Sequence, residues 1–344
     1  ELIVTVVERV YFFPYPIFFI NEKDWKKISI GAGVLHSNFR GRREILTVYG
    51  WGGYNPAINV EYSNPWLLGS ANLLTRVNFF ANRLRNRSFD IQNQDVNEKR
   101  IGGSWSIGRR FGLFTYFSVD FGYMELKFDP PVPGQTLAPS GLDKLPSLGF
   151  NFIYEARDLF EFPLSGIYTR LWAKRTGFRS EYVHYFRYGA DLRAYKKISS
   201  HLSLAGRVMA DLHDDVLPIY DHVFLGYSNR VRGHFYSKKE GENLAMASLE
   251  LRWPILPVRY FNLEEAPMFG SYMQHLHFGM SLSFFTDYGR VWSPDKENDL
   301  SLSEQLGFGA GLNLHVPFVY LVRLEWAFNQ DGKGEGIIDL RVSF

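Results

Sequence analysis

Apolar and polar residues alternate one for one through long runs of this chain, and that pattern restricts the fold more than any other feature. Between Gln274 and Asp287, Leu276, Phe278, Met280, Leu282 and Phe284 share one face of an extended strand. His275, His277, Gly279, Ser281, Ser283 and Asp287 share the other. Leu306, Phe308, Ala310, Leu312 and Leu314 oppose Gly307, Gly309, Gly311, Asn313 and His315 in the same way. Tyr320, Val322, Leu324, Trp326 and Phe328 oppose Arg323, Glu325 and Asn329. A period of two is the periodicity of a β-strand, not of a helix. The runs last about 10 to 16 residues, against ~5–6 for a common soluble strand and ~9–11 for a tilted strand that crosses a bilayer. A soluble sandwich also alternates. A membrane barrel differs in sense, with its apolar face toward lipid and its polar face toward the lumen.

Composition agrees with strands. Thirty Phe, 20 Tyr, 8 Trp and 31 Gly favour strands and turns over helices. A formal net charge of +2 gives no support for a nucleic-acid partner. The absence of cysteine suits passage through an oxidising periplasm without need of disulfides, although many cytosolic proteins also lack cysteine. The longest apolar stretch, Tyr11 to Ile20, is far short of the ~20 residues of a spanning helix and contains Pro14 and Pro16. A membrane protein of this kind must then be a barrel, because only helices and closed barrels satisfy every backbone group in lipid. No signal peptide is visible and the first residue is Glu1, as in a mature or trimmed product.

The predicted fold is an all-β, 16-stranded antiparallel transmembrane barrel. Strands are expected near 10–21, 27–38, 43–53, 56–64, 70–83, 98–109, 112–125, 145–156, 165–177, 180–196, 200–212, 243–254, 273–288, 304–316, 318–329 and 335–344. With both ends periplasmic, the short links at 38–43, 109–112, 196–200 and 316–318 fall on the periplasmic side. The long links 84–97, 126–144, 213–242 and 293–303 fall outside. The segment 255–272 is an exception, long and periplasmic, and the links after Tyr54 and Thr176 are short and external. No internal domain boundary is visible. Residues 10–344 form the barrel, and residues 1–9 read as the remnant or linker of a preceding periplasmic segment.

Three segments go beyond a generic barrel. They are Asn229-Arg-Val-Arg-Gly-His234 in the longest loop, Asn243-Leu-Ala-Met-Ala-Ser-Leu-Glu-Leu-Arg252 in the next strand, and Phe284-Phe-Thr-Asp-Tyr-Gly-Arg-Val-Trp292 in the one after. In this order and spacing the chain resembles the BamA-like outer-membrane assembly and translocation barrels, the bacterial surface antigen family. That family carries Val-Arg-Gly-Phe/Tyr at the tip of its sixth external loop, an inward glutamate on the following strand and Phe-x-Asp-x-Gly on the next. His234 departs from the pattern, standing where the family has an aromatic residue. Val6-Val-Glu-Arg9 looks like the end of the family's last POTRA domain.

The residues support a physical reading of their own. Glu250 shares a face with Ser248 and Arg252, and Asp287 shares one with His275 and His277, so two carboxylates on adjacent strands face the lumen. Arg232, followed by the flexible Gly233, can reach both with its planar fork of donors. The resemblance implies that Arg232, Gly233, Glu250 and Asp287 lock the inward-folded sixth loop. Pro14 and Pro16, two apart, remove two N–H donors from one edge of the first strand. The first strand closes against the last, which ends on Phe344 at the membrane border. In the family this seam is a lateral gate, where client strands are templated by edge pairing. The aromatic C-terminus also looks like the signal by which assembly machinery recognises its clients.

The expected role is therefore assembly, insertion or translocation of outer-membrane proteins in a Gram-negative outer membrane, by strand pairing and without a chemical step. The expected partners are outer-membrane lipid and lipopolysaccharide, client outer-membrane proteins, and periplasmic or lipoprotein subunits. Two alternatives stand beside it: a two-partner-secretion pore controlled by the sixth loop, and a barrel anchoring a fused or associated periplasmic or surface protein. His275 and His277 have the spacing of two same-face metal ligands, but no third ligand is adjacent, and they read as ordinary lumenal histidines. No Gly-x-Ser-x-Gly elbow, phosphate loop or metal-binding cysteine pattern occurs. No enzyme activity, metal or cofactor is expected.

Overall fold

The computed structural model describes residues 10–21, 24–69, 72–91, 95–160, 162–178, 180–262, 276–294, 304–317 and 321–340. The strands are, in chain order, β1 (Phe12–Ile20), β2 (Ile28–Phe39), β3 (Glu44–Gly53), β4 (Ala57–Leu67), β5 (Leu73–Arg85), β6 (Asn97–Phe111), β7 (Thr115–Asp129), β8 (Asp143–Lys144), β9 (Ser147–Glu155), β10 (Gly166–Thr176), β11 (Tyr185–Ser199), β12 (Leu202–Asp214), β13 (Val223–Leu225), β14 (Lys239–Gly241), β15 (Asn243–Phe261), β16 (Leu276–Trp292), β17 (Gln305–His315), β18 (Val322–Asn329) and β19 (Gly334–Asp339). Among the described residues seventeen strands belong to one sheet, while β13 and β14 pair as a separate ribbon. Apart from the two-residue β8, each described strand of the large sheet overlaps one of the sixteen expected segments. Among the described residues, no helix is long and apolar enough to cross a membrane.

The chain divides into two compact units. The first comprises Glu1–Phe152, Trp172–Arg187 and Asp214–Asp221, and the second Ile153–Leu171, Tyr188–His213 and His222–Phe344. In the first, β1 to β7 run as consecutive antiparallel hairpins. Its apolar cluster gathers Ile91, Val96, Leu126, Phe128, Leu145, Val183, Tyr185, Leu217 and Tyr220. The Tyr220 hydroxyl donates to Asp143 Oδ2 at 2.7 Å. Burial and the neighbouring Asp143 charge raise the Tyr220 pKa, so this phenol stays a donor. In the second unit, β12, β15, β16, β17, β18 and β19 pair in that order, all antiparallel.

The sense of the alternation is that of a membrane protein. Along β15 to β18 the large apolar side chains Leu249, Trp253, Phe284, Phe308, Leu324 and Trp326 are exposed. Glu250, Arg252, Ser283, Asp287, Asn313, Arg323 and Glu325 are buried. Water would favour the opposite arrangement, because exposed apolar surface costs about 25 cal/mol per Å². Lipid removes that cost and penalises polar groups on the outer face.

One strand is longer than its alternation suggested. β15 continues past Arg252 to Phe261, seven residues beyond Pro254, through register shifts between Pro254 and Leu256 and between Leu256 and Arg259. A bulge accommodates a proline that cannot donate to the ladder. The first seven residues of the segment expected as a long link, 255–261, are therefore strand.

Candidate functional site

The site forms where the loop between β12 and β15 meets the buried polar face of β15 to β18. Alternation places Glu250 and Arg252 on that face of β15, Phe285 and Asp287 on β16, and Arg323 and Glu325 on β18. Their burial follows the same parity. On β17 the corresponding positions are Gly307, Gly309 and Gly311, which leave the wall flat. A Cβ on Gly307 would lie 1.7 Å from the Arg232 carbonyl oxygen, and one on Gly289 would lie 2.7 Å from Val231 Cγ2. The loop backbone thus occupies space that only glycine concedes. Gly233 takes φ +91°, and a Cβ there would meet the Phe328 carbonyl at 2.6 Å. Both its conformation and its contact require glycine.

Arg232 is the centre. Its Nε and Nη2 donate to Asp287 Oδ2 and Oδ1 at 2.7 and 2.8 Å, a bidentate fork. Its Nη1 donates to Glu250 Oε2 at 2.7 Å and to Glu325 Oε1 at 3.2 Å. The Arg232 backbone N–H adds a bond to Asp287 Oδ2 at 3.2 Å. The guanidinium carbon lies 3.6 Å from the Phe285 ring centroid, a cation over an aromatic face. Burial works against the charge of Arg232, but Asp287, Glu250 and Glu325 outweigh it and raise its pKa.

Two more arginines complete the cluster. Arg252 Nε donates to Glu250 Oε1 at 2.8 Å, and Arg323 Nη1 to Glu325 Oε1 at 2.8 Å. Arg232, Arg252 and Arg323 thus balance Glu250, Asp287 and Glu325 in formal charge. All six are buried, with Arg252 0 % and Glu250 2 % exposed. Desolvated charges are tolerated in a structure only when paired and hydrogen-bonded in this way.

The loop is also held beyond Arg232. His234 Nε2 lies 2.8 Å from Gln330 Oε1 and 3.1 Å from the Leu306 carbonyl oxygen. Both are acceptors, so this nitrogen carries the proton. Phe235 N–H donates to Glu335 Oε1 at 2.7 Å. Arg230 donates to the Gly226 carbonyl and stacks over the Phe235 ring at 4.2 Å. A histidine at 234 therefore bonds to the wall where a phenylalanine would only pack.

The structure brings Arg232, Gly233, Glu250 and Asp287 together, and adds Glu325, Arg252, Arg323 and Phe285, which sequence reasoning did not assign to the site. The available signal was the glycine row on β17. By lowering the wall there, it lets an arginine bonded to β16 also reach β18. His275 and Phe344 lie outside the described residues, as do 1–9. Among the described residues, no group of three or more His, Asp or Glu is arranged to hold a metal.

The prolines of β1 have a definite orientation. Backbone N–H and C=O of one residue point to the same side of a strand, and successive residues point to opposite sides. Tyr11 accepts from Ser37 N at 2.8 Å, and Asn21 N donates to Lys27 at 2.8 Å. Both bonds lie in the register that pairs Pro14 with Val34 and Pro16 with Ala32. Odd-numbered residues of β1 therefore face β2, and the nitrogens of Pro14 and Pro16 point to the edge away from it. That edge lacks two donors.

The Omp85 superfamily domain profile matches residues 38–344. BamA from Haemophilus ducreyi, in a crystal structure lacking POTRA domains 1–3, superposes with a TM-score of 0.70 at 17% identity. The match covers 96% of this chain and 69% of that one. CdiB from Escherichia coli superposes at 0.58 and 13% identity, over 98% of this chain and 62% of that one. CdiB from Acinetobacter baumannii gives 0.56 and 13%, over 95% and 58%. The chain thus spans less than two thirds of either CdiB chain. No curated protein matches it in sequence.

Proposed function

The chain belongs to the Omp85 superfamily, and from that premise we propose that this outer-membrane β-barrel inserts other outer-membrane proteins by pairing strands at a lateral seam. The seam lies between segments 10–21 and 335–344, and the reaction has no chemical step. The observation that supports it most is the edge of β1. Pro14 and Pro16 withhold two donors from the side that does not face β2. An unsatisfied backbone group in lipid costs several kcal/mol, so a strand edge of this kind favours water, a thinned bilayer or a visiting strand over a permanent partner. Client strands would pair there by edge addition. The buried Arg232 cluster holds the sixth loop against the wall as the frame around which the seam works. Client proteins, and periplasmic or lipoprotein subunits that deliver them, are the partners of such a reaction.

Restoring the donors tests this. The double substitution Pro14→Val, Pro16→Val should raise the temperature at which the barrel unfolds and slow the folding of a small client barrel into vesicles containing the protein. Unchanged or faster client folding with the same gain in stability would refute the seam as the working edge.

A second reading is a translocation pore, favoured by the likeness to two CdiB chains. In it the sixth loop controls a lumenal path, and substitutions at Pro14 and Pro16 leave transport unaltered.

A further inference from the structure

The Arg232 cluster is met from its other side by a second inward segment. The β9–β10 link turns tightly: Asp158 N bonds the Ser165 carbonyl at 3.0 Å, and Asp158 Oδ1 accepts Leu164 N at 3.0 Å. From this turn Phe162 and Pro163 reach into the interior. The Pro163 carbonyl accepts from Arg252 Nη1 at 2.6 Å. The Phe162 ring lies 4.4 Å from the Arg252 guanidinium carbon and packs edge-on against His315 at 4.9 Å. Phe162 is itself buried.

The two segments enter from opposite ends of the strands. In the β12–β15 register, Asp211 pairs with Leu244 at the end nearest the Arg232 loop, and Ser203 with Arg252 toward the other. Glu250 sits between them. Its Oε2 takes Arg232 and its Oε1 takes Arg252. A continuous chain of buried bonds thus runs from Arg232 through Glu250 and Arg252 to Pro163.

We propose that Arg252 is a positioning residue joining the sixth loop and the 156–165 link into one latch, with Phe162 as its seal. Withdrawal of Phe162 admits water to the cluster. The pair energies then fall with the rising effective dielectric, and Arg232 is released from a distance. The proposal rests on reading the Arg232 cluster as a lock.

Trypsin cleavage of the detergent-solubilised, folded protein tests it. Phe162→Ala should raise cleavage between residues 230 and 239 on the order of tenfold, within the usual range for coupled sites. Phe162→Leu should restore protection, and Phe160→Ala should leave it intact. In an Arg232→Gln background Phe162→Ala should add nothing. Coupling is reciprocal, so Arg232→Gln alone should raise cleavage after Arg157 by a similar factor. This arm also decides the matter if Phe162→Ala does not fold. Wild-type cleavage after Arg157 in Arg232→Gln, with the loop itself cleaved faster, would overturn the coupling and leave the lock standing. Arg232→Gln with an unaltered loop would overturn the lock and the coupling together.

Discussion

At the scale of residues, the molecule depends on a few charges placed where water cannot reach them. Arg232, Arg252 and Arg323 neutralise Glu250, Asp287 and Glu325, so removing any one leaves an unmatched buried charge. Arg232→Ala should cost about 3–5 kcal/mol locally, as for other broken buried pairs. The ladder of the barrel does not use this side chain, so the barrel should still fold while the loop becomes protease-sensitive. Glu250→Gln and Asp287→Asn should act in the same direction. Measured together by limited proteolysis, three variants as protected as wild type would show that the cluster does not hold the loop. Arg232, Glu250 and Asp287 were legible in the sequence because each lies in a motif and two share strand parity. Glu325 was legible only as a polar residue of the buried face. Its pairing with Arg232 spans 93 positions and depends on β17 being bare of side chains. The bond from Arg252 to Pro163 spans 89 positions and involves a carbonyl, which no side-chain pattern announces.

At the scale of elements, alternation was a good guide to the strands and a poor one to their ends. Strand β15 outruns its pattern because two register shifts carry it past Pro254. Strand β7 likewise continues to Asp129, where a long external link was expected to have begun. The loop after β12 contains its own ribbon, β13 paired with β14, in strands of three residues too short for periodicity to register. The links carry a topological expectation. With the first strand rising from the periplasm, Ser140 lies outside the cell, and Leu113 and Ser200 lie in the periplasm. The chain has no native cysteine, so Ser140→Cys, Leu113→Cys and Ser200→Cys can be probed one at a time with a membrane-impermeant thiol reagent on intact cells. Only Ser140→Cys should react. Labelling at Leu113→Cys or Ser200→Cys would reverse the orientation or shift the strand count by one.

At the scale of the whole molecule, one chemistry serves two ends. The same alternation that turns Trp326 and Phe308 outward places Glu325 and Gly307 inward, so the membrane-facing surface and the interior wall that receives the loop have a common origin in sequence. The Arg232 cluster bonds the loop to that wall, and the proline edge of β1 gives the sheet a margin short of two donors. The proposed role puts the work of the protein at this margin. Its most direct test is a disulfide across the seam, with one cysteine introduced in 10–21, one in 335–344, and insertion of a client barrel measured before and after oxidation. Oxidation should abolish insertion and reduction should restore it, since a client strand cannot enter a closed edge. Full insertion by quantitatively cross-linked protein would contradict the claim.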